Sequence, residues 1–166
     1  MSKTFTIILI IFSSCQMNQS NDSINTIKQK INSIEEDQEI NAIQFMLIQQ
    51  QKHWNEGDID SFMQFYWNSE ELVFTSLKYK PTYGWQETLK RYKESYPDKE
   101  SMGKLSFEIL EIIITSTTQA KLKGKWELIR EHDNPNGYFW LDLKKFEENW
   151  LIIKDSTISQ EIPTAY

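Results

Sequence analysis

Two aspartates, two histidines and a single cysteine are the side chains whose settings could support chemistry in this chain. Asp142 and Asp155 each fall within a run of alternating apolar residues, Gly137 to Phe146 and Trp150 to Ile158, that reads as a strand. A carboxylate buried beside aromatic rings has its pKa raised and can move a proton next to a carbonyl. A solvated aspartate at a strand end is the simpler reading of each, because most carboxylates are exposed. Asp142 alternates with Tyr138, Trp140 and Lys144, so its face depends on the strand register. His53 falls at the end of a helical stripe, where it suits the helix dipole. His132 opens the turn His132-Asp133-Asn134-Pro135-Asn136-Gly137. A metal site would need both to converge with acidic ligands, and no metal or cofactor is expected. The Gly-x-Ser-x-Gly elbow, the phosphate loop, the dinucleotide fingerprint and the zinc-protease helix are all missing from the sequence.

Cys15 is the one cysteine, which rules out an intramolecular disulfide and any two-cysteine zinc or redox motif. It follows Lys3, the apolar run Phe5 to Phe12, and Ser13-Ser14. That run falls well short of the roughly 20 residues needed to span a bilayer and reads as the core of a signal peptide. Ser13-Ser14-Cys15 resembles the lipobox of bacterial lipoproteins, which implies cleavage before Cys15, its lipidation, and attachment to a membrane of the bacterial cell envelope. The expected organisation is a leader over 1–15, a polar tether and short amphipathic helix over 16–36, one domain over 37–160, and a tail over 161–166.

The 166 residues carry 18 basic and 24 acidic side chains, for a net charge of −6. With no basic cluster, nucleic acid is excluded as a partner. Ile24, Ile27, Ile31 and Ile34 recur at helical spacing after Ser23, although two heptads alone do not establish a coiled coil. Glu35-Glu36-Asp37 offers a break or a new cap, after which Ile40, Ile43, Leu47 and Trp54 continue a helical stripe ended by Gly57, with Asp58 free to cap a helix from Ile59 to Trp67. A small hairpin is expected at Leu72–Thr75 and Lys78–Lys80, and a helix through Trp85, Leu89 and Tyr92 that ends near Pro97. Four strands follow, Leu105–Ser116, Gln119–Arg130, Gly137–Phe146 and Trp150–Ile158. Their connectors are too short for anything but antiparallel neighbours. Helices followed by a long meander predict an α+β fold with the helices on one face of a curved antiparallel sheet.

Several segments, in order, resemble the nuclear transport factor two-like superfamily, with its cone-shaped, cystatin-like α+β fold, in the SnoaL-like and ketosteroid-isomerase-like branch. They are His53-Trp54-Asn55-Glu56-Gly57-Asp58-Ile59-Asp60-Ser61-Phe62, Tyr83-Gly84-Trp85, Gly124-Lys125-Trp126-Glu127-Leu128, Gly137-Tyr138-Phe139-Trp140-Leu141 and Asn149 to Thr157. Relatives often carry Asp-His-Thr or Asp-His-Ser where this chain has Asp155-Ser156-Thr157, and a serine cannot stand in for an imidazole base.

In such a fold the concave sheet face and the helices enclose an apolar pocket, the default site for a small ligand. Leu122, Gly124, Trp126, Leu128 and Arg130 share one strand face, expected to point inward, while Lys121, Lys123, Lys125 and Glu127 share the other. Trp54, Tyr66, Trp85, Trp126 and Trp140 are candidate lining residues, with ordinary core packing as the alternative. Arg130 can meet an anionic head group, or can pair with a surface carboxylate at the rim. Three functions are open: a membrane-tethered small-ligand-binding domain; an isomerase, dehydratase or cyclase using Asp155 or Asp142; and a homodimerisation or interaction module.

Overall fold

A computed structural model describes residues 11–77 and 79–160, with side chains from residue 22 onward. Most of the leader and all of the tail read from the sequence therefore lie outside the described residues. The first helix, α1, spans Ile11–Glu56 without interruption. Helix covers both residues 16–23, expected as a polar tether, and Glu35-Glu36-Asp37, expected as a break or a new cap. The physical reason is that the whole segment lacks Gly and Pro, and acidic residues alone do not break backbone hydrogen bonding. Among the described residues no helix is long and apolar enough to cross a membrane.

The chain divides into two compact units, residues 1–38 and 39–166. In the first, the described length is α1 alone, and every side chain from Asp22 to Gln38 is exposed.

The second unit holds the rest of α1. Its Ile43, Met46, Leu47 and Trp54 are buried in the core. The helix stops as its sequence dictates: Gly57 takes φ 84°, its N–H bonds the Trp54 carbonyl, and the Asp58 N–H bonds that of His53. Asp58 then caps α2 (Ile59–Met63) by accepting from the Ser61 N–H at 2.9 Å. Strands β1 (Val73–Ser76) and β2 (Tyr79–Tyr83) form the expected hairpin. Helix α3 spans Trp85–Ser95. A four-residue helix, α4 (Lys99–Met102), was not expected, although Asp98 and Ser101 form a capping box around it.

The four long strands are β3 (Lys104–Ser116), β4 (Gln119–Ile129), β5 (Asn136–Phe146) and β6 (Asn149–Ser159). They form an antiparallel meander, and the six-stranded sheet runs β2-β1-β6-β5-β4-β3. One pairing, β1 with β6, is parallel, so the sheet is mixed; the short-connector rule does not reach strands so distant in sequence. Pairing irregularities between Ile109 and Glu111, Ile114 and Ser116, and Asp142 and Leu143 bend the sheet. The inner face contributes Leu122, Leu128, Phe139, Leu141, Leu143, Trp150 and Ile152 to the core. The outer face carries Lys121, Lys123 and Lys125 opposite Asp142, Trp140 and Tyr138.

Candidate functional site

Between the inner sheet face and the helices lies a cavity of about 630 Å³. The residue that sets its chemistry is Asp155, and a break in strand periodicity places it there. Leu143 pairs with Ile152 and the next residue back, Asp142, pairs with Lys154, so Ile153 is an extra residue in β6. Trp150 and Ile152 point inward; past the bulge the phase flips, and Asp155 is buried while Lys154 is exposed. Ser156 faces the outer side, where Thr75 Oγ1 lies 3.0 Å from its hydroxyl. A histidine at 156 would thus point away from the cavity, and the departure from the Asp-His-Thr pattern removes nothing from this site.

Tyr66 reaches Asp155 because the chain leaving α2 is laced to β6: the Ile152 N–H bonds the Phe65 carbonyl, and the Trp67 N–H bonds the Ile152 carbonyl. The Tyr66 hydroxyl donates to Asp155 Oδ2 at 2.8 Å, and the Tyr92 hydroxyl of α3 lies 3.2 Å from that of Tyr66. With its one proton committed to an ionised Asp155, Tyr66 accepts from Tyr92. Burial lifts the Asp155 carboxyl to about 7, against the pull of the Tyr66 hydrogen bond and the Arg91 charge. Burial, reinforced by the Asp155 charge, pushes both phenols well above the usual tyrosine range.

Among the described residues, three buried side-chain polar atoms make no hydrogen bond: Asp155 Oδ1, Gln50 Nε2 and Trp126 Nε1. All three residues line this one cavity. Buried polar groups are otherwise almost always paired, because leaving one unpaired costs roughly 1–3 kcal/mol. The wall is rich in aromatic rings elsewhere. Trp54 meets Phe62, Tyr92 and Tyr96 edge-on, with ring centroids 5.1, 6.1 and 4.8 Å away. Arg91 reaches the cavity from α3, its guanidinium 4.7 Å from the Phe74 ring centroid and 2.9 Å from the Thr82 hydroxyl.

Of the candidates read from the sequence, Trp54, Tyr66, Trp126, Arg130 and Asp155 line the cavity. Arg130 is taken up at the rim by a bidentate pair with Asp133, at 2.6 and 2.7 Å, and by the Ser101 carbonyl. Asp142 does not line the cavity: it faces outward and pairs with Lys121 at 3.0 Å. Trp140, on the same outer face, is 40% exposed and does not line this cavity. Trp85 packs at the core's edge with its Nε1–H on the Met63 carbonyl, away from the cavity wall. Sequence reasoning missed Gln50, Arg91 and Tyr92. The spacing of Trp85, Leu89 and Tyr92 marked an apolar face of α3, but nothing local says which of those residues reaches the pocket. On the surface, Glu100, Glu131 and His132 place their ligand atoms within 4.8 Å of one another, all exposed.

A crystal structure of an NTF-2-like protein of unknown function from Shewanella oneidensis shares 42% sequence identity with this chain. The match covers 72% of this chain and 98% of that one, with a TM-score of 0.69. The chain belongs to the NTF-2-like family. Two more distant structures show the same fold. A ketosteroid isomerase-like protein from Erwinia carotovora is 17% identical over 75% of this chain and 98% of its own, with a TM-score of 0.61. A putative scytalone dehydratase from Novosphingobium aromaticivorans is 13% identical over 78% and 89%, with a TM-score of 0.60. No family model and no curated protein matches the sequence. Within this NTF-2-like domain, the cavity under the sheet is lined by a buried carboxyl bonded to one of two linked phenols, by two residues with an unpaired donor, and by aromatic rings.

Proposed function

We propose that this NTF-2-like protein binds a small, partly apolar molecule carrying hydrogen-bonding oxygen groups in the cavity under its sheet. The observation that carries this reading is that Asp155, Gln50 and Trp126 all line this one cavity and that Asp155 Oδ1, Gln50 Nε2 and Trp126 Nε1 are each buried without a partner. Two donors and one acceptor suit a hydroxyketone-like ligand whose carbonyl accepts from Gln50 or Trp126 and whose hydroxyl donates to Asp155. Titrating the protein with a panel of aromatic hydroxyketones and following tryptophan emission tests it. Saturable quenching is expected, weakened at least tenfold by Asp155→Asn and reduced in amplitude by Trp126→Phe. Identical binding of the panel by wild type and both variants would refute it.

A second reading, proton transfer, is favoured by the Asp155 carboxyl lying near 7. A group balanced at that point can take a proton from a carbon next to a carbonyl and return it elsewhere, as an isomerase or dehydratase requires. Deuterium exchange into such ketones, followed by mass spectrometry, tests it: exchange is expected with wild type and lost in Asp155→Asn. Exchange at equal rates in both would exclude Asp155 as the base.

We also propose that the domain is tethered to a bacterial envelope membrane through lipid on Cys15, a reading supported by Lys3, the apolar run and Ser13-Ser14-Cys15. Mass spectrometry of the N-terminal peptide from membranes tests it. An acylated Cys15 is expected, with release of the protein by Cys15→Ser; an unmodified, uncleaved N-terminus would overturn it.

A further inference from the structure

The first unit presents a physical problem of its own. Isolated helices are marginal in water and are usually held by packing an apolar face against something. Yet every side chain from Asp22 to Gln38 is exposed, including Ile24, Ile27, Ile31 and Ile34 at 50, 58, 48 and 47%. Their spacing of three, four and three places all four on one stripe, the a and d positions of two heptads. Flanking that stripe, Lys28 and Glu35 occupy e positions, and Lys30 and Asp37 occupy g positions.

We propose that this stripe is covered by other copies of the same chain, aligned parallel and in register as a coiled-coil bundle. The charges select that partner and that orientation. In the parallel arrangement each isoleucine layer meets its own counterpart, and Lys30 at g faces Glu35 at e of the neighbouring helix. An antiparallel pair fails on one count or the other. Setting Ile24 against Ile34 keeps four isoleucine layers but brings Lys28 against Lys28 and Lys30 against Lys30. Setting Ile31 against Ile34 pairs the charges but puts Ile27 against Gln38 and Ile24 against Asn41. Only the parallel register satisfies core and flanks together.

The experiment uses the full chain carrying Cys15→Ser, which removes lipid and the native thiol as sources of association. Light scattering after size exclusion is expected to read more than one chain per particle. Ile27→Asn/Ile31→Asn, at exposed positions, is expected to return it to one chain without changing the thermal melt of the second unit. Lys30→Glu should weaken association at least tenfold, and Lys30→Glu/Glu35→Lys should restore it. Ile24→Cys in the same background should form an interchain disulfide under mild oxidation. The two antiparallel registers would hold those cysteines about 15 or 25 Å apart, at 1.5 Å per helical residue. A single chain at micromolar concentration, a mass indifferent to the helix variants but lowered by Trp140→Lys on the outer sheet face, or no disulfide from Ile24→Cys would overturn the proposal.

Discussion

Replacing Asp155 by Asn should change how stability depends on pH. The Asp155 carboxyl has a reference value of 3.8 and lies at about 7 in the folded protein, chiefly because burial penalises its charge. Between those values the folded state holds a proton that the unfolded state has released. Stability therefore falls as pH rises through this window, by up to ~1.4 kcal/mol per unit, and levels off above 7. The three-unit displacement amounts to about 4 kcal/mol at most, a large share of the 5–15 kcal/mol that holds a typical domain together. Asn is neutral at every pH and can still accept from the Tyr66 hydroxyl, so it should be free of this loss. Glu39, Asp58 and Asp98 are held below their ordinary values and titrate at more acid pH; their contributions cancel in a comparison of the two proteins. Urea unfolding followed by tryptophan emission at pH 5, 6, 7 and 8 provides the measurement. The stability of Asp155→Asn relative to wild type should grow steadily from pH 5 to 7. If that difference is flat across the range, or has the opposite sign, Asp155 is not a buried, uncompensated carboxyl and the site as described is wrong.

Other perturbations probe the frame around the site. Asn55 pairs with Leu105 like a short strand, accepting from its N–H at 2.7 Å and donating to its carbonyl at 3.0 Å; Asn55→Ala strips both and should cost about 2 kcal/mol in urea unfolding. Glu39 accepts from Lys145 and from Trp150 Nε1, both at 2.7 Å, so Glu39→Gln should cost about 1 kcal/mol at pH 7. Because the Lys145 hydrogen bond holds the Glu39 carboxyl below its ordinary value, that contribution is present at neutral pH and is lost as pH drops through its folded value, so the two proteins should converge at acid pH. At Gly137 a methyl group would run into the Ile158 carbonyl of the paired strand, so Gly137→Ala should lose roughly 1–3 kcal/mol and lower the melting temperature. A melting curve unchanged by that substitution would mean that β5 and β6 are less closely apposed at this end than described.

The elements were legible where their signals are local. Gly57 and Asp58 end one helix and cap the next through backbone geometry that depends on a few neighbouring residues, and the alternation of Leu122, Trp126 and Leu128 against Lys121, Lys123 and Lys125 sorted β4 correctly into inner and outer faces. The resemblance in Trp54, Gly57 and the last strand led to the right family for the same reason, since those residues serve caps and core. The long uninterrupted α1 was hidden because an acidic knot reads as punctuation, although only Gly or Pro would have broken it. The parallel joining of β1 to β6 could not be read at all, because pairing between distant strands leaves no mark in either sequence.

The sequence by itself determined that an aspartate would ride on the last strand of a sheet packed against helices, and that aromatic side chains would surround it. Which of Asp142 and Asp155 faced inward was decided by tertiary structure. A strand alternates its faces every residue, so one extra residue reverses everything beyond it. Ile153 becomes that extra residue only through the way β6 pairs with β5. By strict alternation from Ile152, Asp155 would have pointed to the outer face and Ser156 to the cavity. The bulge exchanges them, and with that exchange the buried carboxyl meets Tyr66 and the site exists.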